Sequence, residues 1–235
     1  MVTTMNNKLI LSIDFSLTGS AFIVGLVNDI KYFTYFSSLQ KDKNNEFCTY
    51  LPKEYKGEDK LDYLITHYLK IIDETPIGLI VLEAPSFNSR NTSNDFKGGY
   101  ELIKYFARQK NIPYLLIPPI SNKLFFTENA KASKDEMVKK AKEIYGKDID
   151  FESISSKHQE DVSDALSLFK LGSEYLRCNR LPAPKGYVGT CDIKPFECLP
   201  LHQQQVIAKL YNREDLYNEV KKLRQKFGGK NGRIK

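Results

Sequence analysis

The stretch KLILSIDFSLTGSAFIVGLVNDIKYFTYF, residues 8–36, decides the fold. Lys8 to Phe15 is a short apolar run that ends on an acid, which suits a buried central strand with Asp14 at its C-terminal edge. Ser16, Leu17, Thr18 and Gly19 form a turn in which Gly19 can supply a positive φ. Ala21 to Val27 reads as a second strand and Asn28-Asp29 as another turn. Ile30 to Phe36, alternating and aromatic, reads as a third strand. Strands joined by connections this short pair as an antiparallel meander.

Downstream, helices enter. Lys41 to Glu58 is polar and irregular and reads as loop. Lys60 to Asp73 sets Leu61, Leu64, Ile65, Tyr68, Leu69 and Ile72 at helical spacing, and Pro76 ends it. Ile77 to Glu83 is a second buried strand that closes on an acid, stopped by Pro85. A polar loop from Ser86 to Asn94 carries Phe87 and Arg90, and a helix over Asp95–Gln109 and a short strand over Ile112–Pro118 follow. Ala132 to Tyr145 is a basic amphipathic helix with Ser133 as cap and Glu136 three residues later. Phe125 and Phe126 suit base stacking or, equally, strand or core packing. After a Pro/Gly-rich connector at residues 179–200, His202–Tyr211 and Glu214–Phe227 read as two short helices. This order predicts an α/β domain over residues 1–178 around one mixed sheet flanked by helices, with a basic helical extension at 201–235.

The segment SKHQEDVSDALSLF, residues 156–169, reads as the start of a helix reaching Leu176. Val162, Ala165, Leu166 and Phe169 form one apolar stripe, and Ser156 with Gln159 fits a capping box. On that helix Asp161 and Asp164 are i,i+3 neighbours, roughly 5–6 Å apart at Cβ. Alone, such a pair is commonly just a solvated face. His158, one turn before Asp161, reads as a solvated first-turn histidine, or as a group orienting a water or a phosphate.

Asp14 and Glu83 change the weight of that pair. Acids at the ends of buried strands are costly unless paired or bound to a metal. Three segments delivering Asp14, Glu83, Asp161 and Asp164 to one sheet edge would make an all-oxygen cage for Mg²⁺ or Mn²⁺. Two such ions about 4 Å apart support in-line phosphodiester hydrolysis.

Length and composition set the class. The chain has 235 residues, enough for one large domain with an appendage. With 41% hydrophobic and 27% charged residues it is ordinary for a soluble globular protein. No apolar run reaches the roughly 18 residues of a membrane span, so no membrane partner is expected. The N-terminus lacks the apolar region of a signal peptide, and the four cysteines are irregularly spaced, so reduced thiols in a cytoplasmic compartment are expected. Cys191, Cys198 and His202, with Cys178 upstream, offer zinc-type ligands but lack the close Cys pair of a knuckle. The net charge is +6, and residues 221–235 hold seven Lys or Arg and no acid, which leaves the other 220 residues at −1. A cationic arm on a near-neutral body fits contact with phosphates.

SIDFSLTGSAF, IVLEAPSF and DVSDALSLF, in this order, resemble the acidic motifs of RuvC-type Holliday-junction resolvases of the ribonuclease H-like superfamily, over about residues 8–176. The resemblance implies a divergent member with a mixed five-stranded sheet that opens in an antiparallel meander. It implies Asp14, Glu83, Asp161 and Asp164 as catalytic carboxylates binding two Mg²⁺ (Mn²⁺ substituting), and a homodimer acting on branched DNA. That dimer would work in the cytoplasm, or in a host's if the chain is viral. The family's two functional lysines, eleven residues apart, match Lys123 and Lys134 in NKLFFTENAKASKDEMV. Its base-wedging aromatic has Phe87 as nearest candidate. Lys131 and Arg90 complete the residues expected to touch nucleic acid. The chain departs from the family in the turn after Asp14, in Glu128-Asn129-Ala130 where the family has Gly-x-Gly, and in the region after Leu181. An actin-like sugar kinase or ATPase, and a DNA-binding scaffold that has kept the fold without catalysis, are the alternatives. The first lacks a second phosphate loop, and the presence of all four acids weighs against the second.

Overall fold

Alternation along β1 (Leu9–Asp14) determines what lies on each side of the sheet. Leu11, Ile13 and the following Phe15 enter a core with Leu64, Ile65, Tyr68 and Ile72 of α1 (Glu58–Glu74) and Tyr100, Ile103 and Ala107 of α2 (Asn94–Gln109). Ile10, Ser12 and Asp14 take the other side, beneath α5 (Ser156–Arg177). There the Ser12 hydroxyl donates to the Ala165 carbonyl at 2.8 Å. A Cβ on Gly172 of α5 would meet Val81 at 2.8 Å and Ile10 at 3.2 Å, so the helix lies close on the strands. The computed structural model describes residues 9–17, 19–85, 94–178 and 194–227.

β2 (Ala21–Leu26) and β3 (Asp29–Ser37) complete the antiparallel meander, with Asp14 opposite Ala21 and Phe22 opposite Thr34. β5 (Ile77–Glu83) lies parallel to β1 with Ile13 opposite Leu82, and β6 (Tyr114–Ile117) lies parallel to β5. A sixth strand, β4 (Cys48–Tyr50), pairs parallel to β3 and gives the order β4-β3-β2-β1-β5-β6. The expected count of five strands is therefore one short. β4 is too brief to show alternation within a polar segment. Its place comes from tertiary contacts, namely Thr34 donating to the Phe47 carbonyl at 2.7 Å and Phe33 stacked on Phe47 at 4.5 Å.

Core packing, one of the alternatives for Phe125 and Phe126, is what forms, and one capping expectation changes. Phe125 and Phe126 sit buried in a helix, α3 (Pro119–Thr127), which opens with proline and ends at Glu128 in the left-handed conformation. The start of α5 carries no Ser156–Gln159 box. Ser155 instead occupies the cap position, its carbonyl accepting from the Gln159 amide, and the Gln159 side chain donates to the carbonyls of Phe151 and Ile154 at 2.8 and 3.0 Å. The box expected for α4 (Lys134–Tyr145) forms, with Ser133 and Glu136 capping each other.

The chain divides into two compact units, residues 1–173 and 174–235. The second holds α6 (Lys194–Glu197), α7 (Leu201–Leu210) and α8 (Glu214–Phe227). Within it the buried Gln204 amide donates to the carbonyls of Phe196, Glu197 and Leu199, and Tyr211 stacks on Tyr175 at 4.4 Å. Among the described residues no helix is long and apolar enough to cross a membrane.

Phe169 is fully buried where α5 meets β2, its ring 2.8 Å from where a Cβ on Gly25 would stand. Phe169→Ala should cost about 3–5 kcal/mol in urea unfolding. A loss under about 1 kcal/mol would contradict this packing.

Candidate active site

The pairing of Ile13 with Leu82 places the next residues, Asp14 and Glu83, side by side at the carboxyl edge of the two central strands. Alternation turns both toward α5, as it does Ser12. The Ser12–Ala165 bond fixes α5 along its axis, so the turn carrying Asp161 and Asp164 stands over the strand ends. Gly19 completes the enclosure: a Cβ there would fall 2.4 Å from an oxygen of Asp161. Gly19 thus serves close approach of backbone to carboxylate.

The four acids share one electrostatic field. The Asp14 carboxyl is held well above the usual range by burial, then by Asp164, Glu83 and Asp161. Glu83 is raised to about 7 by burial and by Asp164, against the opposing effects of Asn122, Lys123 and Lys134. Asp164 is raised to about 6, mainly by burial and also by Asp161 and Glu160, with Lys134 and Lys123 opposing. The protein's own cations therefore leave much of this charge uncompensated. Among the described residues no three His, Cys, Asp or Glu side chains stand close enough to hold an ion as they are. The acids share a field without closing the cage expected from the sequence. Hard oxygen donors with unbalanced charge fit Mg²⁺ or Mn²⁺, which would have to draw the carboxylates inward.

Both expected lysines reach this field. Lys123, in α3, donates to the Ala132 carbonyl at 2.8 Å and lowers the cost of charging Glu83 and Asp164. Lys134, first residue of α4, pairs with Glu160 and acts on Asp14, Glu83 and Asp164. Lys131 is exposed in the turn between those helices and forms no bond with the acids. Phe87, Arg90 and Cys191 lie outside the described residues. Cys198 is exposed and Cys178 buried, and no zinc-type group forms among the described residues.

The structure adds Asn122 to the site and removes one of the two readings of His158. Asn122 is 1% exposed, donates to Glu83 at 3.4 Å, and leaves its Oδ1 with no partner among the described residues. His158 is also 1% exposed, which overturns its reading as solvated. Its Nδ1 bonds Asp161 at 2.8 Å and its Nε2 meets Ser37 Oγ at 2.9 Å. Ser37 donates to the buried Asp42 at 2.6 Å, and Tyr35 stacks on the imidazole. An ionised Asp161 only accepts, so Nδ1 carries the hydrogen and pins one carboxylate oxygen. The histidine was illegible because its partners come from β3 and the turn after it, more than a hundred residues away.

No family model matches the chain, and no curated protein matches it in sequence. Among solved structures it is similar to Thermus thermophilus RuvC, with a TM-score of 0.53 at 12% identity over 73% of this chain and 96% of that one. T. thermophilus RuvC in complex with Holliday junction substrate gives 0.51 at 12% identity over the same shares. The yeast mitochondrial Holliday junction resolvase Ydc2 aligns over 92% of this chain and 84% of its own, at 13% identity and a TM-score of 0.42. At such identities the likeness concerns architecture: the chain has a ribonuclease H-like α/β fold, a six-stranded mixed sheet flanked by helices.

A carboxyl with a raised folded-state pKa binds more protons in the native chain than in the unfolded one. Its contribution to stability is therefore lost as pH rises, for Glu83 from about 4.5 to about 7. In metal-free buffer Glu83→Gln should match wild type near pH 5 and melt higher by pH 8. A variant that melts lower across that range would contradict the uncompensated charge.

Proposed function

We propose that this protein is a metal-dependent, structure-selective endonuclease that hydrolyses phosphodiester bonds in branched DNA, with four-way junctions its foremost substrate. One observation carries the reading: four acids from β1, β5 and α5 meet at one sheet edge with more negative charge than the protein neutralises. Asp14, Glu83, Asp161 and Asp164 would hold Mg²⁺ or Mn²⁺, which supplies an activated water and charge stabilisation at the leaving oxygen. Lys123 and Lys134 flank the acids, where they offset charge and attract a phosphate. Asn122 steadies Glu83. His158, anchored by Ser37 and Asp42, fixes the Asp161 carboxylate. The fold likeness to a RuvC bound to a Holliday junction substrate favours branched DNA over other phosphodiesters.

A junction has two strands to cut, so we propose a homodimer with one site per subunit. The cationic run in residues 221–235 would add salt-sensitive, sequence-independent attraction to DNA, and cytoplasmic work on DNA suits the reduced thiols.

Asp14→Asn and Asp161→Asn should each slow Mg²⁺-dependent cutting of a synthetic four-way junction at least about a thousandfold, the few kcal/mol a metal ligand supplies, while junction binding survives. Flap, linear duplex and single-stranded DNA assayed alongside define selectivity. Full cleavage by either variant would reject the assignment. His158→Ala should raise the Mg²⁺ concentration needed to stabilise the protein in thermal melts about 10–100-fold, and His158→Asn should raise it less. An unchanged Mg²⁺ requirement would remove His158 from the site.

A further inference from the structure

The turn that follows Asp14 has a second face. Ser16, Gly19 and Ser20 form one wall of a hollow whose other polar groups are Ser38, just beyond β3, and Lys60, in the first turns of α1. The hollow is shallow and open, its enclosed part about the size of one water, so a phosphate would lie across its mouth with its oxygens toward Lys60 and Ser38.

Its charge is unanswered. Lys60 is half-buried, and among the described residues it forms no ion pair or hydrogen bond with a carboxylate. The charge that acts on it is another cation, Lys157 at the start of α5, which is exposed and likewise unpaired among the described residues. Burial first, and Lys157 second, hold the Lys60 ammonium below its usual range. A half-buried lysine beside serine hydroxyls, with a second cation raising the cost of its charge, is a poor arrangement for stability alone and a good one for an anion.

The hollow shares its wall with the acidic edge. Gly19 abuts the Asp161 carboxylate, and the Ser20 hydroxyl donates to the Asp14 carbonyl at 2.7 Å. An anion seated there would lie within a few residues' breadth of the acids, separated from them by a single turn of backbone.

We propose that this hollow is a phosphate subsite, in which Lys60 and the Ser38 hydroxyl hold a backbone phosphodiester of the bound DNA strand near the bond being cut, with Lys157 adding to the positive field around Lys60. The inference rests on the nuclease reading and adds a binding position that the four acids and the Lys123–Lys134 pair do not supply. A free phosphate has the same chemistry, so the test separates the two sources.

Junction affinity is measured in metal-free buffer, where nothing is cut, between 50 and 200 mM NaCl, for the full-length protein and for Lys60→Ala, Lys60→Met and Lys157→Ala. Lys60→Met keeps the aliphatic stem should Lys60→Ala fold poorly. Each lost phosphate contact should make the slope of log affinity against log salt shallower by about 1. The Mg²⁺-induced rise in melting temperature should stay as in wild type, since the acids are untouched. Slopes and affinities equal to wild type in both Lys60 variants would overturn the subsite. Stabilisation by inorganic phosphate at fixed ionic strength that vanishes in Lys60→Met, with junction slopes unchanged, would assign the hollow to free phosphate and overturn the DNA subsite. Failure of the nuclease reading itself appears separately, as wild-type protein that binds junctions and cuts none with Mg²⁺.

Discussion

Mutual repulsion among half-buried carboxylates is the constraint around which this unit is arranged. β1 and β5 each end on an acid, and parallel pairing makes the two acids neighbours. α5 then lays two more over the same edge. No folded chain gains stability from such a group without a counter-charge, because burial and like charge both penalise ionisation. Asn122, Lys123 and Lys134 reduce the cost without removing it, and Glu83 remains raised to about 7. A local arrangement that works against stability while every surrounding element is well packed is the usual mark of a functional site.

Rigidity around the acids comes from groups that carry no net negative charge into the edge. Ser12 ties β1 to α5 by one buried bond, and Gly19 lets the turn backbone press against Asp161. The Asp42–Ser37–His158 chain extends this support to β3, far in sequence from the helix it steadies. Asp161 is thus constrained from the β1–β2 turn on one side and by an imidazole on another. Orientation of this kind, from partners behind the ligand, sets how readily a carboxylate can turn toward an ion.

Much of this was legible because its causes are local. The meander followed from alternation and short turns, α4 from the Ser133–Glu136 box, and the four acids from strand ends and i,i+3 spacing. Asp14 and Glu83 as neighbours needed only the assumption that their strands pair in parallel. What remained hidden had distant causes. β4 exists because Phe47 stacks on Phe33 and Thr34 reaches the Phe47 carbonyl. α3 was obscured by its aromatic pair and by prolines that read as strand ends. His158 looked like any polar first-turn residue until Ser37, Asp42 and Tyr35 were seen around it. Lys60 read only as the start of a helix, since its neighbours Ser16, Ser38 and Lys157 come from three other segments.

Crystals grown or soaked with Mn²⁺, with data collected at the manganese absorption edge, test the central claim most directly. The account predicts anomalous density among Asp14, Glu83, Asp161 and Asp164, with the carboxylates drawn toward it to oxygen–metal distances of about 2.0–2.2 Å, near those of other hard divalent ions. Anomalous density elsewhere and none at this edge, in crystals whose four acids are ionised and accessible, would contradict it.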